Sequence, residues 1–218
     1  MPIAVISVLV LQYENACAGK PERGEEMKPL PEPTTKGTMS VEEAIARRRS
    51  VRSFASDKLT DGQLSQLLWA AQGITDKGSE LRAAPSAGAT YPLEVYAVTQ
   101  ESICHYDPSR HELKAVKTGD LRGKLADAAL GQGFIREAPL TIVFTAVPSR
   151  TTGTYGKRGD RYIHMEAGHA AQNVHLQAVA LGLGSVPVGA FSDDEVAAVL
   201  GCSGKETPLY IVPVGKPL

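Results

Sequence analysis

The chain has 218 residues, of which 43% are apolar and 22% charged, with a net charge of -1. One domain with a sizeable core fits that length, and near-neutrality removes a general case for nucleic-acid or anionic-membrane binding. Cys17, Cys104 and Cys202 are far apart and form no CxxC pair, which excludes a zinc knuckle, a thioredoxin-type motif and a disulfide framework.

The first residues carry two of the three parts of a secretory signal. Pro2–Leu11 is apolar and Ala16–Ala18 has the A-x-A form of a cleavage site, but no Lys or Arg precedes the apolar run. The run is too short for a transmembrane helix, so the alternatives are a signal and an extra edge strand. The expected location is the cytoplasm, or outside it if residues 1–18 act as a signal, with no stable membrane insertion. Residues 20–39 are rich in Pro, Gly and Glu without an apolar period, as in a linker or extended arm. Residues 1–39 are thus read as signal or arm and linker, and residues 40–218 as the folded domain.

Ser40 and Glu43 have capping-box spacing, and Arg47 to Arg49 close the same helix at the end the dipole favours for cations. Thr60 and Gln63 repeat the box, followed by Leu64, Leu67, Leu68 and Ala71 on one helical face and Gly73 as a stop. Leu93–Thr99 alternates like a strand, and residues 102–116 read as a hairpin turning at Asp107-Pro108. A helix is expected over residues 120–131. The nearly continuous apolar run 140–147 fits a strand buried on both faces. Residues 160–184 form the longest helical pattern, dense in Ala and Gly. A short strand (185–191), a capped helix (192–201) and a final strand (208–215) complete the chain. Helices and strands mix without a strict βαβ rhythm, so the fold class is α+β, a mixed sheet sandwiched by helices.

Several chemistries drop out. His164 and His169 lie about 140° apart on the long helix, and His164 and His175 about 16 Å apart along it. Neither pair holds a metal alone, no HExxH occurs, and packing or surface roles are expected for these histidines. Gly182–Pro187 lacks the third glycine of a dinucleotide loop and follows a helix instead of preceding it. Residues 201–206 have the wrong spacing for a P-loop, and no G-x-S-x-G elbow occurs.

Four separated segments remain: Arg48–Arg52 ("RRSVR"), Ala84–Pro92 ("APSAGATYP"), Pro187–Phe191 ("PVGAF") and the C-terminal "PVGKP" with Lys216. Together with "EAGHAAQN" and "GLGSVPVGAF" they resemble the FMN-dependent nitroreductase family, most of all its SagB-type dehydrogenase branch, from about Met39 to Leu218. The resemblance implies an intertwined homodimer with tightly bound, non-covalent FMN in the subunit interface. It carries Arg48, Arg49, Ser50 and Arg52 over to cofactor binding, with Arg52 the candidate cation near flavin N1. Pro85, Ser86, Ala87 and Gly88 would come from the partner subunit. Pro187, Val188, Gly189 and Ala190 would line the ring, the Gly189 backbone N–H facing N5. Lys216 would bind phosphate and Gln132 the ring edge. No metal is expected.

The implied activity is ping-pong hydride transfer from NADH or NADPH to an electron-poor small molecule such as a nitroaromatic or quinone. The alternative is oxidation of an azoline-type substrate. Azoline oxidases of that branch carry a Lys-Tyr pair in this region, whereas Tyr155 follows Thr154. A flavin-binding redox sensor and an anion-binding module without flavin are the non-catalytic alternatives.

Overall fold

The computed structural model describes residues 27–202 and 204–218. The signal-or-strand reading of the first residues, and Cys17, lie outside them. Seven strands form one antiparallel sheet: β1 (Met27–Pro29), β4 (Leu93–Thr99), β5 (Ser102–Asp107), β6 (Glu112–Thr118), β7 (Leu140–Ala146), β8 (Gly184–Ser185) and β9 (Thr207–Gly215). Their order across the sheet is β1-β6-β5-β4-β7-β9-β8. β2 (Ile74–Asp76) and β3 (Leu81–Arg82) pair separately as a small hairpin. The helices are α1 (Val41–Arg47), α2 (Asp61–Gln72), α3 (Arg122–Ala128), α4 (Gly133–Glu137), α5 (Ser149–Tyr155), α6 (Arg158–Ala180) and α7 (Asp193–Leu200).

β7 shows why the sheet is sandwiched. It lies between β4 and β9 in the middle of the sheet, and all seven residues are buried. Successive side chains of a strand point to opposite faces. Leu140, Ile142, Phe144 and Ala146 enter one core with Leu67, Leu68 and Ala71 of α2 and Ala167, Ala170 and Val174 of α6. Val143 enters the other, with Leu125 of α3, Ile135 of α4 and Val196 and Leu200 of α7. A nearly continuous apolar run, broken only by the buried Thr141 and Thr145, is what burial on two faces demands, and the α+β sandwich expected from the sequence is the fold observed.

The caps differ in detail. Thr60 and Gln63 form the full reciprocal box at α2. At α1 only half forms: Ser40 Oγ accepts the Glu43 N–H, while the Glu43 carboxylate turns away to Arg47 at 2.8 Å. The segment read as linker or arm also contributes structure. Met27–Pro29 pairs with β6, and Leu30 is buried in the first core. Pro29 is acceptable there because an edge strand has one side with no ladder to serve. Farther along, Gln66 of α2 accepts the Thr34 N–H and returns a bond to the Thr34 carbonyl.

The short helices α4 and α5 and the β2–β3 hairpin have no counterpart among the expected elements. α5, "SRTTGTY", has no apolar period; it is held by packing on α6, where Tyr155 and Tyr162 meet edge to face at 5.2 Å.

One feature of topology positions the site. After α1 the chain runs as a strap over residues 50–55 beside β8 and the C-terminus. Ser50 bridges Ser185, and Phe54 bridges Pro217. Val51 N–H donates to the Ser185 carbonyl at 3.0 Å, and Ala55 N–H to the Lys216 carbonyl at 2.9 Å. The gap is tight: a Cβ on Gly184 would stand 2.6 Å from Val51 Cγ2, so the strap needs glycine there.

Candidate cofactor site

The strap carries the arginine-rich motif to the edge of the sheet. Val188 and Ile211 exchange both backbone hydrogen bonds, at 2.7 and 3.0 Å, which fixes the Pro187–Ala190 segment beside β9. Arg48–Arg52, Pro187–Ala190 and Lys216, far apart in sequence, therefore share one sheet edge. Five residues separate the level of Ile211 from Lys216, or about 17 Å of extended chain. A flat ring with a phosphorylated tail is the kind of ligand whose two ends such a span separates.

The cations at this edge are not paired with carboxylates among the described residues. Arg49 donates only to carbonyls of its own turn, Ala46 at 2.9 Å and Arg48 at 2.7 Å. The side chains of Arg52, which is exposed, and Lys216, also exposed, make no hydrogen bond or ion pair among the described residues. Ion pairs form elsewhere, as between Lys28 and Asp61 and between Arg136 and Asp127, and other exposed cations such as Lys77 and Lys124 stand alone among the described residues; what sets this edge apart is that four cations share it. Uncompensated guanidinium and ammonium groups held together suit a phosphate dianion, which guanidinium forks bind in bidentate fashion.

Arg48 is held differently. Its Nη1 lies 3.1 Å from Nε2 of His175, a buried residue of α6. His175 Nδ1 in turn lies 2.5 Å from Ser185 Oγ. Burial first, then the adjacent Arg48 charge, push the imidazole down to about 4.

At the other end, Gly189 and Ala190 are exposed, and the Gly189 N–H has no acceptor among the described residues. A Cβ on Gly189 would meet nothing closer than Tyr210 Cε2 at 3.8 Å, so the backbone is open to a flat ligand. Gln132 reaches the same segment. Its amide donates to the Ala129 carbonyl at 2.8 Å and the Ala190 carbonyl at 3.0 Å. Both N–H bonds are spent on the protein, and Oε1 is the atom left for a ligand.

Pro85, Ser86, Ala87 and Gly88 are not joined to this edge by any hydrogen bond among the described residues. The loop is instead held over α5 and α6. Gly88 has φ +59°, a conformation that favours glycine, and a Cβ there would stand 2.6 Å from the Tyr155 hydroxyl, so a side chain would have to displace the end of Tyr155. Ser86 Oγ accepts the Tyr91 N–H at 2.9 Å, and Thr90 and Thr151 share a hydroxyl contact at 2.7 Å.

Beneath that loop is Glu166 of α6, 2% exposed. Burial raises its carboxyl to about 7, while the nearby Ser86 hydroxyl, Gln72 amide and Arg82 charge act the other way. The two neutral groups face the carboxyl without completing it, since Glu166 Oε1 and Gln72 Nε2 both lack a hydrogen-bond partner among the described residues.

The cofactor-binding set implied by the sequence includes neither Glu166 nor His175; for His175 the sequence implies only a packing or surface role. A signal existed. Both fall on the stripe of α6 that also buries Ile163, Ala167, Ala170, Ala171 and Val174, and an ionisable residue on an apolar stripe is an anomaly.

The model of the Nitroreductase family matches residues 45–216, which takes in the strap, the Gly189 segment and Lys216. A protein of Methanocaldococcus jannaschii named as a candidate nitroreductase, MJ1384, is 45% identical over 184 residues, covering 82% of this chain and 91% of that protein. The crystal structure of a candidate nitroreductase from Ralstonia eutropha is similar with a TM-score of 0.81 and 31% identity, covering 90% of this chain and 92% of that one. The NADPH:FMN oxidoreductase of Vibrio harveyi, solved with NAD+, shares the fold at a TM-score of 0.60 and 23% identity, over 81% of this chain and 68% of that one.

Proposed function

We propose, for a chain that belongs to the nitroreductase family and is an oxidoreductase, that it binds FMN along the strap-and-β9 edge and reduces an electron-poor small molecule at the expense of NADH or NADPH. The observation that carries this reading is the coincidence, on one edge, of cations without carboxylate partners and an exposed glycine whose backbone N–H has no acceptor, both among the described residues. FMN, when bound, supplies the two-electron chemistry, accepting hydride from the nicotinamide and passing electrons to the second substrate in a ping-pong cycle.

The chain's own residues do the holding and tuning. Arg48, Arg49, Ser50 and Lys216 bind the phosphate end. Arg52, without a competing carboxylate, places a fixed positive charge beside the ring edge where negative charge gathers on reduction. The Gly189 N–H faces N5, with Pro187, Val188 and Ala190 along the ring and Gln132 Oε1 at its edge. Pro85–Gly88 serves the site of a second copy, which makes the functional unit a homodimer. The expected second substrates are nitroaromatics and quinones.

The test is a visible spectrum of the purified protein followed by anaerobic titration with NADH and NADPH. Flavin absorbance that bleaches with either nicotinamide is the expected result. A colourless protein that takes up no FMN overturns the cofactor assignment. Bound flavin that neither nicotinamide reduces overturns the donor and moves the reading to the reverse direction, oxidation of an organic substrate, or to a redox sensor.

A further inference from the structure

We propose that His175 is a positioning residue that aims Arg48 at the cofactor phosphate while leaving its charge intact. The inference rests on the site reading just given. Guanidinium has donors and no acceptor, so the 3.1 Å contact makes His175 Nε2 the acceptor. The proton then sits on Nδ1, which donates to Ser185 Oγ at 2.5 Å. The two partners together fix one tautomer and one ring orientation. The imidazole is neutral in the working pH range, because burial and the neighbouring Arg48 charge disfavour its protonation.

A neutral acceptor is the informative choice. Asp or Glu in this position would hold Arg48 equally well, but its negative charge would compete with a phosphate for the same cation. Imidazole fixes direction and leaves the full positive charge available. Ser185 closes the circuit, since its carbonyl accepts the Val51 N–H at 3.0 Å and its backbone bridges Ser50. Arg48, the strap and β8 are thereby registered to α6, a 23-residue helix in the core. Among the four cations at this edge, only Arg48 has its side chain held by another element; Arg49 is tied to its own turn.

The experiment compares the dissociation constants of FMN and riboflavin, which differ by the phosphate alone, for His175→Phe, His175→Gln, Arg48→Ala and the double variant. His175→Phe keeps a ring but removes the acceptor. It is expected to weaken FMN about ten- to a hundredfold, the range for a hydrogen bond to a charged group, with riboflavin changed by less than about twofold. His175→Gln, whose Oε1 accepts from Arg48 and whose amide donates to Ser185, is expected to restore FMN to within a few fold. In the Arg48→Ala background, His175→Phe should cost nothing further. Equal loss of FMN and riboflavin, or full additivity with Arg48→Ala, would mean that His175 only packs the core and overturns the inference. If Arg48→Ala itself leaves FMN binding unchanged, the site reading fails instead. Should His175→Phe not fold, Ser185→Ala carries the same comparison: it releases the tautomer, and selective loss of FMN supports the inference while parallel loss of both ligands overturns it.

Discussion

Replacing Glu166 by Gln should change how stability depends on pH in a way that the wild-type protein conceals. The carboxyl is raised from 4.5 to about 7, first by burial. Between those values the folded chain keeps the proton and the unfolded chain has lost it. Stability therefore falls as pH rises through the window, and the cost persists above pH 7, amounting to about 3 kcal/mol. His175 acts in the opposite sense. Its ring is lowered from 6.5 to about 4, so between those values the unfolded chain binds a proton that the folded chain refuses, and stability rises with pH by a similar amount, about 3 kcal/mol. The windows overlap from 4.5 to 6.5, where the two slopes oppose one another. Glu166→Gln removes one slope and exposes the other. Urea unfolding of both proteins at one protein concentration, from pH 4.5 to 8, gives the quantity needed. The stability difference, variant minus wild type, should grow by about 3 kcal/mol between pH 4.5 and 8. Taking the difference cancels titrations common to both. A difference that stays constant across the range would refute the assignment of a raised carboxyl to Glu166.

Three further outcomes are expected. Arg52→Ala should weaken FMN or slow its reduction by about tenfold, the worth of one charge-assisted contact; unchanged binding and reduction in stopped-flow would remove Arg52 from the site. Gly189→Val should leave the thermal midpoint of the apoprotein in place, because the nearest atom to a Cβ is 3.8 Å away, yet block flavin uptake measured by fluorescence quenching. Gly159→Ala should lower the thermal midpoint, since its Cβ would stand 2.9 Å from the Thr152 backbone where α5 packs on α6. Forced separation of this kind costs about 1–3 kcal/mol.

What could be read in advance was mostly what is local. The cap at Thr60–Gln63, the β5–β6 turn after Asp107-Pro108 and the apolar run of β7 each depend on neighbours a few residues away. The site residues on the strap, at Pro187–Ala190 and at Lys216 were identifiable as motifs, though nothing local showed that they meet. α5 escaped notice because Thr and Gly give no period, and its helix is imposed by α6. β1 was not legible because an edge strand of three residues, none of them buried, leaves almost no pattern.

The amino-acid order by itself determined the helices with strong periods, the α+β class and the concentration of arginine between residues 47 and 52. Tertiary structure decided where that charge goes. Only the pairing of the strap with Ser185 and Lys216 sets the cations on one edge, and only the burial of α6 turns His175 into a neutral acceptor for Arg48. Backbone pairing between segments more than a hundred residues apart, and the desolvation that sets a proton affinity, depend on what the completed fold brings together. Neighbouring residues in the chain carry no trace of the pairing, and of the desolvation only the place of His175 on an apolar helical stripe.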